Sequence, residues 1–141
     1  MTSSLERSLV LIKPDGVARN LTGEVLRRIE TKGYVLADLK MLTASDDLLG
    51  EHYAEHRERP FFPGLVEFMK RGPVVAAVVT GHRVIEGIRT LAGATDPTSA
   101  APGTIRGDLA FETGGPVIEN IIHASDSVQS AEREIALWFA S

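Results

Sequence analysis

Apolar and polar positions along this chain change period several times, and the changes mark out alternating strands and helices. Residues 9–12, Leu-Val-Leu-Ile, form an apolar run that stops at Lys13-Pro14-Asp15-Gly16, where a breaker-rich turn ends a buried first strand. Over residues 22–32 Val25, Leu26 and Ile29 recur at helical spacing, with Thr22 able to cap the start and Gly33 the end. Residues 34–42 alternate weakly through Tyr34, Leu36, Leu39 and Met41 and read as a second strand. Ser45-Asp46-Asp47 opens a helix reaching about Arg57, and Pro60-Phe61-Phe62-Pro63-Gly64 breaks the chain before a short helix over 65–71. Residues 74–79 are the most β-branched stretch and make the central strand. Helical spacing returns over 83–91 through Val84, Ile85 and Ile88. A fourth strand over 117–122 and a last helix from Ser127 or Ser130 to Phe139 complete the pattern.

The order predicts an α/β arrangement, an α+β sandwich in which helices cover a four-stranded antiparallel sheet of ferredoxin-like topology. At 141 residues it is expected to form one domain over 1–141 with a single sizeable core. Residues 93–116 lack periodicity yet hold three of the seven prolines and five of the thirteen glycines. Structureless stretches longer than about 12 to 15 residues are usually functional or disordered, and Thr95, Thr104 and Arg106 favour function here.

A formal net charge of −4 repels polyanions, so any anion binding must be local, and nucleic acid is not expected as the main partner. The absence of cysteine removes a thiol nucleophile and fits a reducing compartment. With no secretory or membrane-spanning apolar run, a cytoplasmic location and no membrane partner are expected.

Candidate chemistry centres on Asn120-Ile121-Ile122-His123-Ala124-Ser125-Asp126-Ser127, which sets an imidazole at a strand end beside a helix start. A lone histidine there is more often structural, and His52, His56 and His82 read as ordinary residues of that kind. A neutral imidazole is nonetheless a competent nucleophile, and helix-start N–H groups favour phosphate. Lys13 at the end of the first strand supplies a mobile cation, and Arg106 in Thr104-Ile105-Arg106-Gly107-Asp108 sits beside glycine. By themselves these are weak signals, since such a lysine is commonly solvated, Arg89 suits a surface and Arg106 could pair with Asp108. Neither Gly-x-x-x-x-Gly-Lys-[Ser/Thr] nor Gly-x-Gly-x-x-Gly is present, so a nucleotide would be held by separate side chains.

Taken together, Ile12-Lys13-Pro14-Asp15-Gly16-Val17, Arg59-Pro60-Phe61-Phe62-Pro63-Gly64-Leu65, Gly72-Pro73-Val74-Val75-Ala76, Pro102-Gly103-Thr104-Ile105-Arg106-Gly107-Asp108 and the His123 segment resemble the nucleoside diphosphate kinase family. The resemblance runs from about Arg7 to Phe139. It implies a ping-pong transfer of the γ-phosphate of a nucleoside triphosphate to histidine and then to a nucleoside diphosphate, with broad base specificity. His123 is the implied nucleophile through Nδ1, Glu134 the carboxylate that holds its ring, and Ser125 the support for that carboxylate. Lys13, Tyr53, Arg89, Thr95 and Arg106 fall on phosphate-contacting positions, with Lys13 and Asn120 also at the sugar hydroxyls. Phe61 matches the aromatic that stacks on the base, with Leu65 nearby and Val117 a second face.

Asp126 matches a position near a magnesium ion carried by the nucleotide phosphates, acting through water. The resemblance further implies a homo-oligomer, a hexamer ahead of a tetramer, with Pro97 in the loop near the threefold. Two departures stand out: Ala124 where most members have glycine, and a longer segment over 112–119. The competing expectation is a nucleotide-binding or scaffolding protein with little turnover, which would be expected to lose His123, Lys13 or Arg106, and none is lost.

Overall fold

The computed structural model describes residues 4–140. Four strands, β1 (Leu5–Ile12), β2 (Val35–Leu42), β3 (Val74–His82) and β4 (Ile122–Ala124), form an antiparallel sheet in the order β2-β3-β1-β4. This is the ferredoxin-like order expected from the sequence. Strand β1 is central because Leu9, Val10, Leu11 and Ile12 are buried on both faces.

Period-2 alternation divides the core. Val10, Ile12, Val75, Ala77 and Val79 face α2 (Thr22–Lys32) and α5 (Val84–Ala92). On the other face, Leu9, Leu11, Ala76 and Val78 meet Leu49 of α3 (Asp46–His52), Phe68 and Met69 of α4 (Phe62–Met69), and Ile135 and Trp138 of α7 (Val128–Trp138). Ile122 and Ala124 belong to the first cluster, so His123 between them points to the second face, opposite Leu11 in register.

Several boundaries differ from those expected, each for a local reason. Pro14 and Pro63 start helices instead of ending structure: α1 (Pro14–Ala18) and α4 each carry proline in the first helical positions, where its missing N–H costs nothing. Thr22 lies inside α2, with Leu21 at the cap position, whereas Gly33 closes the helix at φ 111° as anticipated. The helix expected to reach Arg57 ends at His52 and tightens into a 3₁₀ turn, Ala54–His56, as Arg57 folds back to donate to the Gly50 carbonyl (2.8 Å).

Within the aperiodic stretch, Thr104 caps the five-residue helix α6 (Ile105–Leu109) by accepting from the Gly107 N–H at 2.9 Å. The fourth strand is not over 117–122 but at Ile122–Ala124, because Ile121 has φ 71° and breaks extended structure just before it.

Candidate active site

His123 occupies the middle of β4, and α7 begins five residues later behind a Ser127 cap that accepts from the Ser130 N–H. One turn and a half along α7, the buried Glu134 turns back to the sheet. Its Oε1 lies 2.9 Å from His123 Nε2 and accepts from Ser125 Oγ at 2.8 Å. Ser125 Oγ in turn accepts from the Leu9 N–H at 2.9 Å, so the carboxylate is anchored to the central strand.

Burial raises the Glu134 carboxyl, but the hydrogen bonds from His123 and Ser125 outweigh it and hold the group below its usual value. An ionised acceptor at Nε2 places the imidazole proton there and leaves the Nδ1 lone pair free. Among the described residues no hydrogen bond engages Nδ1.

A cleft of about 450 Å³ opens before this ring, lined by Lys13, Arg89, Thr95, Arg106, Asn120 and Asp126, with His123 and Glu134 at its base. Lys13 Nζ donates to Asn120 Oδ1 at 2.9 Å, and Asn120 Nδ2 donates to the Thr95 carbonyl at 2.9 Å. Arg106 donates to the carbonyls of Gly93 (2.9 Å) and Asn120 (3.3 Å), and to that of Ile122; Asp108 pairs instead with Arg28. Gly93 is required for this brace, since it has φ 89° and a Cβ there would meet Thr104 Oγ1 at 2.5 Å.

Burial, with Arg106 close by, pushes the Lys13 ammonium down to about 8, against partial opposition from Asp15. Burial and then Arg89 push Arg106 down to about 10. Among the described residues neither cation has a carboxylate partner within salt-bridge distance. The cleft therefore suits an anion, with the His123 ring at one side of it.

Ring contacts run outward from His123. His52 meets His123 edge to face with centroids 4.8 Å apart, Tyr53 follows at 4.6 Å, and His56 lies 5.3 Å from Phe61. Burial pushes His52 down to about 3, so it is neutral, and its Nδ1 accepts from Trp138 Nε1 at 3.0 Å. Burial, with Glu134 nearby, raises the Tyr53 hydroxyl. His52 and His56 read as ordinary residues in the sequence, yet one packs on the central ring and the other lines the cleft. Their i, i+4 spacing was the available signal, although it points equally to a plain helix face.

Phe61 is half exposed at the start of α4 and Leu65 follows it one turn later. The Val117 side chain comes within 3.5 Å of where a Gly64 Cβ would stand, which puts it beside α4 although not on a strand. A larger surface cleft of about 610 Å³ between α4 and residues 116–119 is lined by Val117, Lys70 and Arg71 but by none of the cations around His123.

The sequence matches the family profile described as nucleoside diphosphate kinase over residues 6–141. The chain belongs to the nucleoside diphosphate kinase family. A nucleoside diphosphate kinase of Rhodococcus erythropolis is 58% identical over 135 residues, covering 95% of this chain and 94% of that protein. Among solved structures, the Halobacterium salinarum nucleoside diphosphate kinase in complex with CDP superimposes with a TM-score of 0.91 at 46% identity, over 98% of this chain and 90% of that one. The Borrelia burgdorferi enzyme with bound vanadate and ADP, a transition-state mimic, gives 0.90 at 38% identity, over 97% and 88%. Family membership makes this chain a phosphotransferase acting on nucleotides.

Ala124, expected from the resemblance to stand in place of a glycine, is an ordinary strand position outside the positive-φ residues, so its methyl meets no backbone strain. The segment over 112–119, expected to be longer than in the family, is largely exposed, and Gly114 takes φ 78° in it.

Proposed function

We propose that this chain passes the γ-phosphate of a nucleoside triphosphate to His123 Nδ1 and then to a nucleoside diphosphate in a ping-pong reaction. The observation that carries the reading is the His123–Glu134 contact at Nε2, which leaves the opposite ring nitrogen free beside a cleft lined by Lys13, Arg89 and Arg106, none of which has a carboxylate partner among the described residues. Nδ1 attacks phosphorus in line with the leaving β-phosphate oxygen, and the reverse displacement regenerates the imidazole. Glu134 holds the Nε2 proton and stabilises the ring as it gains positive character, and Ser125 keeps Glu134 in place.

Lys13, Arg89 and Arg106 take up phosphoryl charge, with Thr95 and the Tyr53 hydroxyl as polar contacts. Lys13 and Asn120, already bonded to each other, are placed to exchange that contact for sugar hydroxyls. Phe61, with Leu65 and Val117, receives the base as a stacking surface that reads no base edge, which supports broad specificity.

Among the described residues no three His, Cys, Asp or Glu side chains gather to hold a metal ion. Asp126 is the remaining carboxylate of the cleft once Glu134 is committed to His123, and one carboxylate suits a magnesium ion that arrives on substrate phosphates. Such an ion supplies neutralisation of phosphate charge.

We also propose a homo-oligomer, a hexamer ahead of a tetramer. Support comes from β2, an edge strand of the sheet that exposes Val35, Leu39 and Met41, an apolar edge that pairing with a second copy would cover. Pro97 is buried within the single chain, so a threefold contact would come from its neighbours. Among the described residues no helix is long and apolar enough to cross a membrane. With the acidic balance and absence of cysteine, this supports a cytoplasmic enzyme of one domain acting on nucleotides rather than nucleic acids.

The test is phosphate exchange from ATP to the diphosphates of adenosine, guanosine, cytidine and uridine. The reading expects all four accepted with kcat/KM within about tenfold, the spread allowed by ~1.4 kcal/mol of stacking preference. Nucleotide binding without exchange would favour the scaffold alternative instead.

A further inference from the structure

Asp15 stands outside the cleft, yet its buried carboxylate reaches the backbone of the catalytic strand. Ile121 is a β-branched residue at φ 71°, and the Ile122 N–H donates back to the Asn120 carbonyl at 2.7 Å across it. This is a γ-turn of the rare and strained hand, which a β-branched residue does not hold unaided. The residues on either side of the turn are those of the site: Asn120 precedes it, and Ile122 leads directly into His123.

The turn is gripped from one short segment. Asp15 Oδ2 accepts from the Ile121 N–H at 3.0 Å, and the Lys13 N–H donates to the Ile121 carbonyl at 2.7 Å. Gly16 completes the grip by absence, since a Cβ there would meet Ile121 Cγ2 at 2.9 Å. Asp15 is 6% exposed, and its buried Oδ1 has no hydrogen-bond partner among the described residues. A buried carboxylate left half satisfied is a poor choice for stability alone and points to a constraint at the other oxygen.

We propose that Asp15 is a positioning residue for phosphoryl transfer: by accepting the Ile121 N–H it holds the strained turn that sets Asn120 and His123 in register across the cleft. The Lys13 main chain and side chain tie the same unit together, since its N–H holds Ile121 while its Nζ holds Asn120. The proposal rests on His123 as the phosphorylated residue. It adds that the geometry of that residue is set through backbone two positions earlier.

Two readouts on the intact protein test it: amide exchange at Ile121, and the limiting rate of His123 phosphorylation at saturating ATP and magnesium. Asp15→Ala is expected to speed Ile121 exchange and to lower the limiting rate, each at least tenfold. Asp15→Asn keeps an acceptor oxygen and is expected to stay within threefold of wild type in both. A purely structural role would lower thermal stability while leaving the limiting rate of the folded protein unchanged. The proposal is overturned by a folded Asp15→Ala protein with wild-type exchange or limiting rate, or by Asp15→Asn losing tenfold in either. The second comparison decides even where Asp15→Ala does not fold. Ile121 exchange is read without phosphate, so a failure of the His123 assignment would show separately as wild-type protein that takes no phosphate on that residue.

Discussion

His123 and Glu134 meet at 2.9 Å through Nε2, eleven residues apart in sequence and on different elements. On the proposed mechanism this contact decides which ring nitrogen attacks, because it holds the proton on Nε2. Replacing Glu134 by glutamine keeps the shape but offers Nε2 either a donor or a weaker acceptor, so the ring loses its fixed tautomer. Stopped-flow measurement of His123 phosphorylation is expected to show a fall of ~10²-fold in the limiting rate, as for other misplaced catalytic groups, with a smaller change in nucleotide affinity. An unchanged limiting rate would remove Glu134 from the site.

Lys13 carries a proton-linkage signature. Burial lowers its ammonium to about 8, and a phosphate bound beside it favours the charged form, so nucleotide binding raises it again. Between pH 8 and 9 binding is therefore accompanied by proton uptake, and affinity falls as pH rises through about 8. Calorimetry in buffers of different ionisation enthalpy checks this. Lys13→Gln is expected to abolish the uptake.

The buried His52 makes the fold acid-sensitive. Its folded value of about 3 lies below the ordinary value of 6.5, so the unfolded chain binds the extra proton between those limits. Stability rises with pH in that window and is lost as pH falls through it, by about 1.4 kcal/mol per pH unit for one such group. His52→Phe is expected to flatten the denaturation midpoint against pH between 6 and 4. A slope equal to wild type would show that other groups dominate.

Edge strand β2 gives a test of assembly. Sedimentation at micromolar concentration is expected to show a species larger than a monomer, and Leu39→Glu, which sets a charge on the exposed edge, is expected to shift it to smaller species. A stable wild-type monomer would contradict the assembly.

Much of this was legible in the chain. The strongly periodic elements, α2, β3 and α5, fall close to where apolar spacing puts them, and the sheet has the ferredoxin-like order expected of two split βαβ units, an order the alternation alone does not dictate. The cleft residues Lys13, Arg89, Thr95, Arg106, Asn120 and His123 come together as the ordered motifs imply. What the pattern hid is set by tertiary contacts. The position of β4 depends on Ile121 turning to positive φ against Asp15 and Gly16, over a hundred residues away in sequence. The 3₁₀ break after His52 is accompanied by Arg57 reaching back to the Gly50 carbonyl, a contact that apolar spacing does not signal. Helix α6 is too short for a period and is marked only by its Thr104 cap.

The central claim is that His123 is the phosphate relay. Intact mass after incubation with ATP and magnesium should show one added phosphate per chain, mapped to His123, discharged by any nucleoside diphosphate and absent from His123→Ala. A His123→Ala protein that still takes up and passes on phosphate would contradict the account.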